Sequence, residues 1–173
     1  MLRAASWSAR RSVASPDVTD TAADPDTAGR KGPNGDQLAA WRAFLRAHAT
    51  ITRALEAELV AEQTLSLAAY DVLVQLAEAP GRRLRMTELA DAVLLSRSGV
   101  TRLVDRMERM GLVRRSRVQN DGRGVAAELT DAGFARLRTA SRTHLAGVLR
   151  HFVAHLEPDD LDALERISRL LAD

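Results

Sequence analysis

From Asp36 onward, Leu38, Trp41, Leu45, His48, Ile51, Leu55 and Leu59 recur at steps of three and four. That spacing predicts a single amphipathic helix of roughly 25 residues, with Asp36 as its cap. A continuous stripe of this length is expected to lie on a partner helix. A second helix is expected over about Leu67–Glu78, with Tyr70, Leu73, Val74 and Leu76 inward and Ala79-Pro80-Gly81 as its stop. Thr87 then caps a short helix over Glu88–Val93, and Leu94–Leu95 makes a tight connection. Ser96 opens the next helix, in which Val100, Leu103, Val104, Met107 and Met110 face inward. Gly111 ends it, because a residue without Cβ closes a helix in the left-handed conformation.

The pattern changes after Gly111. Leu112–Arg117 and Val125–Leu129 read as short strands around the polar, glycine-bearing loop Val118–Gly124, which together predict a β-hairpin. Thr130 opens a long helix with Phe134, Leu137, Leu145, Val148, Leu149, Phe152 and Leu156 on its apolar side. Pro158 starts a last helix carrying Leu161, Leu164, Ile167 and Leu170. Residues 1–35 hold Pro16, Pro25 and Pro33 with Gly29, Gly32 and Gly35 among small polar residues, the composition of a disordered N-terminal arm. Residues 36–173 then form one folded domain.

Aromatic residues are only 3% of the chain, so its core must be aliphatic, which favours close-packed helices over a β-sandwich. With no cysteine there is no disulfide, thiolate metal site, cysteine nucleophile or thiol redox switch. No apolar run approaches the ~20 residues of a membrane helix. The net charge is only +2, but it is unevenly spread. Residues 82–123 hold eleven arginines against five acids, whereas acids outnumber bases six to three over 36–81 and eight to six over 124–173. A basic middle between mildly acidic flanks suits a polyanionic partner.

The order helix, tight turn, helix, glycine, hairpin defines a mainly α fold: a winged helix-turn-helix with a small β-hairpin wing. One α-helix fits the major groove of DNA, where its outward side chains meet base edges and phosphates. From Ser96 the outward positions are Arg97, Ser98, Thr101, Arg102, Asp105, Arg106 and Arg109. Arginine pairs bidentately with guanine, and small hydroxyl side chains bond to bases or phosphates. The hairpin carries Arg117, Asp121 and Arg123, and an arginine at a wing tip can enter the electronegative minor groove. The plainer alternative is a solvated arginine face beside an ordinary polar turn.

Several pieces together resemble the MarR family of bacterial transcription regulators. They are Leu67 to Leu73 with Tyr70 and Asp71, Met86 to Ala90, Leu95 to Met107, Gly111 to Val113, Arg115, Asp121 to Arg123 and Leu129 to Gly133, in matching order and spacing. The resemblance, with its flanking helices, extends over about 36–173. It implies a DNA-binding lobe over 64–130 and a helical homodimerisation region formed by 36–63 and 131–173. It also implies a cytoplasmic, sequence-specific regulator of double-stranded DNA, a repressor at a palindromic operator, with one recognition helix in each major-groove half-site. Ser96, Arg97, Ser98, Thr101 and Arg102 match the positions that touch bases and phosphates, and Arg123 matches the wing arginine; Arg106, outward on the helix, and Arg117, in the hairpin, join them as candidate DNA contacts. Asp121 matches the acid that braces the wing, against Arg115. Gly122 departs from the family, which usually has a basic residue there, and implies a weaker or more flexible wing contact.

Family members often release DNA when a small phenolic or anionic compound binds between the dimer helices and the reading head. Trp41, His48, Tyr70, Asp71 and Arg102 are the matching candidates for such an effector site, although Trp41 and Tyr70 fall on apolar faces that equally suit a core. His151 and His155 stand at i, i+4, a spacing that permits a shared metal ion, but no acid cluster accompanies them, and surface or dimer-contact histidines are expected. No metal or other cofactor is expected. Two other classes stay open: a dimeric winged helix that binds protein, which would show apolar residues where Arg97, Arg102, Arg106 and Arg109 stand, and an enzyme. For the latter there is no nucleophile elbow, phosphate-cradling loop or zinc-hydrolase motif, which leaves only an acid–base pair of Asp, Glu or His.

Overall fold

The computed structural model describes residues 32–117 and 124–172. The chain divides into two compact units, Met1–Leu45 and Arg46–Asp173. The first helix, α1 (Gly35–Gln63), opens on a reciprocal pair. Asn34 Oδ1 accepts from the Gln37 amide, and Gln37 Oε1 from the Asn34 amide, each at 2.9 Å. The cap is therefore Asn34 and not Asp36, because an amide three residues on closes a capping box that Asp36 cannot form. Asp36 sits in the first turn, where its charge suits the helix dipole. In the first unit the rings of Trp41 and Phe44 stack 6.0 Å apart, and Trp41, Phe44 and Leu45 are exposed.

The second unit holds an aliphatic core. Leu59, Leu65, Val72, Leu73, Leu76, Leu89, Val100, Val104, Met107 and Val113 are fully buried. Apart from Leu65, in the connection between α1 and α2, they come from α1, α2 (Leu67–Glu78), α3 (Met86–Ala92), α4 (Arg97–Arg109) and β2 (Val113–Arg117). Ser66 caps α2 by accepting from the Ala69 amide, and Ser96 caps α4 by accepting from Gly99 at 3.1 Å. The short helix α3 starts earlier than expected. Glu88 reaches back to the Arg85 amide at 2.9 Å, so the start is set by Glu88 and not by Thr87. Leu94, in the turn between α3 and α4, has φ +53° and is 90% exposed, so this turn is held by backbone geometry and not by burial.

The sheet has three strands in the order β1-β3-β2, all antiparallel. The added strand is β1 (Arg83–Arg85), which pairs with β3 (Val125–Leu129) through Arg83↔Glu128, Leu84↔Ala127 and Arg85↔Ala126. It follows a 3-10 turn, Pro80–Arg82, in which Gly81 has φ +63°. Paired residues share a face of the sheet and successive ones alternate. Val113, Leu129 and Ala127 therefore form the core face with Arg115, while Arg83, Glu128, Arg114, Ala126 and Ser116 lie on the outer face.

The exit of α4 carries the tightest packing. Gly111 (φ +72°) and Leu112 return their amides to Glu108 and Met107 carbonyls at 2.9 and 3.0 Å, a Schellman closure. Thr130 then gathers this corner. Its amide donates to Leu112 O at 3.2 Å, its hydroxyl lies 2.7 Å from Gly111 O and 3.0 Å from Leu112 O, and Oγ1 accepts from the Gly133 amide at 3.0 Å. Thr130 is thus the cap of α5 (Asp131–His151). Met110 was expected inward but is 48% exposed, because the helix closes at that residue and turns it off the core stripe.

Helix α5 packs on α1 through small and polar groups. A Cβ on Gly147 would lie 2.7 Å from Leu55 Cδ2 and from Glu58 Oε2. Thr143 donates to Glu62 at 2.8 Å and accepts from Gln63 at 3.0 Å. Glu58 receives His151 at 2.7 Å and Arg150 at 2.9 Å, and the His151 bond above all holds its carboxyl below the usual range. The expected long helix stops at His151. Phe152 leaves helical geometry at φ −130°, and a 3-10 turn, Val153–His155, leads to α6 (Pro158–Ala172), so Phe152 and Leu156 do not continue the α5 stripe.

Gly133 offers a sharp test of the corner. A Cβ there would stand 2.0 Å from the Leu112 carbonyl oxygen and 2.8 Å from Leu129 Cδ1. The Gly133→Ala variant is expected to lose at least roughly 1–3 kcal/mol of stability by urea unfolding, the range of core overpacking. A loss below about 0.5 kcal/mol, typical of an ordinary surface change, would contradict this corner.

Candidate nucleic-acid interface

Helix α4 divides its residues cleanly. Val100, Leu103, Val104 and Met107 are buried, while Arg97, Ser98, Thr101, Arg102, Arg106 and Arg109 are exposed. The inward set anchors the helix to α3 and to β2, so the outward set stands on a rigid rod. Among the described residues no acid pairs with Arg97, Arg102, Arg106 or Arg109.

The two acids on this helix are occupied. Arg115, on the core face of β2, places Nη1 2.5 Å from Asp105 and 2.8 Å from Glu108. Its Nη2 donates to the Thr101 carbonyl at 3.2 Å, and its own amide donates to Glu108 at 2.9 Å. One guanidinium therefore neutralises both carboxylates beside the arginines and ties β2 to α4. The expected partner of Arg115 is Asp121; Asp121, Gly122 and Arg123 lie outside the described residues, and the partners seen are Asp105 and Glu108. Their spacing along α4 carries the signal, since residues three apart share a helix face.

The hydroxyls at the start of α4 are partly committed. Ser96 Oγ accepts from Gly99 and lies 3.3 Å from Ser98 Oγ. Thr101 donates to the Arg97 carbonyl at 2.8 Å, which leaves its oxygen as an acceptor and its methyl for apolar contact. Such a threonine suits a base amino group or a thymine methyl better than a phosphate. Arg117, the last residue of β2, is exposed and shares the sheet face of Arg115.

Trp41 is exposed in the first unit. In the second unit His48, Asp71 and Arg102 are exposed, and Tyr70 is buried. Tyr70 packs its ring 4.5 Å from His144 and sets its hydroxyl 3.4 Å from Ser141. Burial pushes the Tyr70 phenol up and the His144 imidazole down, so both favour their neutral forms. The Asp71 carboxyl is also pushed up by partial desolvation, although the residue as a whole is exposed. His144, two helical turns before His151, has its Nδ1 buried without a partner among the described residues. A hollow of about 430 Å³ lies along α6, lined by Asp162, Glu165, Arg166, Arg169 and Leu170, none of them an expected effector residue. Among the described residues no cluster of three or more histidines and acids could hold a metal ion, and no helix is long and apolar enough to cross a membrane.

This geometry defines a winged helix-turn-helix protein with an arginine-bearing reading helix. Residues 63–124 match the model of the MarR family. Over 97 residues the chain is 31% identical to the HTH-type transcriptional regulator PecS of Dickeya dadantii; the match covers 55% of this chain and 57% of PecS. It is 34% identical to Sco3205, a MarR family transcriptional regulator from Streptomyces coelicolor solved in complex with DNA. That alignment covers 83% of this chain and 90% of the other, with a TM-score of 0.77. AbsC, another regulator of that family from the same organism, is 35% identical over 83% of this chain and 96% of its own, with a TM-score of 0.76. The chain belongs to the MarR family of transcriptional regulators.

The Arg115 tie can be tested by itself. Arg115→Met keeps the stem and removes the guanidinium. All three side chains are partly exposed, so a loss of about 1 kcal/mol is expected by urea unfolding, with unchanged helical circular dichroism. An unchanged urea midpoint would show that the tie carries no stability.

Proposed function

We propose that this chain binds DNA as a homodimer, places one α4 in each major-groove half-site of a palindromic operator, and represses transcription until a small ligand releases it. The observation that carries the reading is the outer face of α4. Four exposed arginines there lack an acidic partner among the described residues, while Arg115 neutralises the two acids that would repel phosphate. Ser96, Arg97, Ser98, Thr101, Arg102 and Arg106 supply the helix contacts, and Arg117 and Arg123 those of the wing. The DNA complex of the similar regulator Sco3205 supports the same use of the fold. A protein-docking role for α4 is disfavoured, because its outer face presents charge and not apolar surface.

Exposed apolar side chains favour the dimer. Leu145 and Leu149 on α5 are 43% and 60% exposed, and Ile167, Leu170 and Leu171 on α6 are 45%, 72% and 76% exposed. Helix α6 has no buried residue in the single chain, although Leu161, Leu164, Ile167 and Leu170 recur at helical spacing. A second copy burying these faces would restore an ordinary aliphatic core. For the effector, Arg102 and Asp71 offer ionic contacts and His48 an aromatic one to a phenolic or anionic compound. The buried Tyr70 would contribute its ring.

Fluorescence anisotropy with DNA from upstream of the chain's own gene, against random DNA of equal length, tests the reading. A preference of ~10³ or more is expected for the upstream DNA. Arg102→Ala is expected to weaken binding about tenfold, as the loss of one charged contact does. Equal affinity for both DNAs, or an unaffected Arg102→Ala variant, would count against the docking. Leu149→Glu should give a monomer by light scattering and lose operator binding with it; a persisting dimer would remove α5 from the interface.

A further inference from the structure

One cationic side chain outside the reading head has an unusual reach. Arg83 is on β1, and Arg117 ends β2 on the far side of β3. Arg83 Nη2 nevertheless donates to the Arg117 carbonyl at 2.7 Å, so its half-buried side chain crosses the whole sheet. The register shows what it crosses. Arg83 stands opposite Glu128, whereas Arg117 stands opposite Val125, at the other end of β3. Between them on the same outer face lies Ala126, a small residue yet only 1% exposed, as expected beneath a long overlying stem.

The bridge falls where the sheet is weakest. Strand β1 ends opposite Ala126, so beyond that row β2 and β3 continue as a two-stranded ribbon with Arg117↔Val125 as its terminal pair. A two-stranded ribbon is marginal by itself. The Arg83 guanidinium adds a charge-assisted bond from the third strand at this end. It does so from the outer face, while the Arg117 side chain alternates onto the face of Arg115, toward α4. Arg83 is therefore turned away from the surface on which Arg117 and α4 lie together.

We infer that Arg83 is a positioning residue for DNA binding. It pins the terminal pair of the wing through the Arg117 carbonyl and so holds the Arg117 side chain ready for a phosphate, without touching DNA itself. This rests on the DNA-binding reading above. Ordering Arg117 before binding removes part of the conformational cost of the contact.

The test is a double-mutant cycle on the full chain, using a fluorescein-labelled random-sequence duplex at low salt, because a phosphate contact does not depend on sequence. Arg83→Met keeps the stem over Ala126 and deletes the donor. Arg117→Ala deletes the proposed contact and leaves the bridged carbonyl. Arg117→Ala is expected to weaken binding about tenfold, Arg83→Met roughly three- to tenfold, and the double variant no more than Arg117→Ala within about twofold. The salt slope should fall by up to about one in each variant and no further in the double. Multiplied losses, or wild-type affinity in Arg83→Met, would overturn the inference. Hydrogen exchange on the DNA-free protein reads the bridge separately. Arg83→Met should speed exchange at Val125 and Arg117 while Val113 and Leu129 stay protected, and unchanged exchange would also overturn it. If the wild-type chain binds no duplex, the function proposed above fails with it, and exchange still reports on the bridge. Should Arg83→Met fold poorly, Arg83→Gln enters the same cycle.

Discussion

The carbonyl of Leu112 is the point on which the second unit turns. It accepts from the Thr130 amide and hydroxyl, and Gly133 passes so close that any side chain would collide with it. At that atom the end of the reading helix, the first strand of the wing and the start of α5 are fixed together. Thr130 satisfies the open end of α5 and the exit of α4 with one hydroxyl, which accepts from one side and donates to the other. A shift of α5 therefore moves the exit of α4 with it, because a close-packed corner has no slack to absorb the motion.

Electrostatics divides the arginines by task. Arg115 quenches Asp105 and Glu108, Arg114 pairs with Glu128, and Arg82 lies 3.5 Å from Asp131 with its guanidinium 4.0 Å over the Phe134 ring. Mutual pairing holds the Glu128 carboxyl below its usual range and raises Arg114. These structural arginines consume the local acids. What is left on the outer face of α4 is positive charge with no acidic partner among the described residues, in a form that a phosphate backbone attracts. The near-neutral net charge of the whole chain hides this arrangement.

Local chemistry made much of the fold legible in the sequence. Ser96, Gly111, Thr130 and Pro158 announce helix boundaries through caps and backbone preference, and all four stand at the boundaries they announce. The inward stripe Val100, Leu103, Val104 and Met107 follows from its period alone. Strand β1 was hidden because three residues, Arg83 to Arg85, cannot show an alternation; their partners on β3 lie about forty residues away. The start of α3 was misplaced because Thr87 looks like a cap, while the deciding bond comes from Glu88 behind it. Of the interface, the outward arginines were legible, but the pairing of Arg115 with Asp105 and Glu108 and the reach of Arg83 were not. Both depend on which strand lies beside which helix or strand, and one sequence does not print that.

On the reading proposed above, two copies of α4 read two half-sites from one face of the duplex. Hydroxyl-radical footprinting on the bound upstream DNA tests it most directly. Two symmetry-related patches of protection are expected, centred about one helical turn or a multiple of it apart, with further protection where the wings meet the flanking minor grooves. A single unsymmetrical patch, or uniform protection along the duplex, would contradict it.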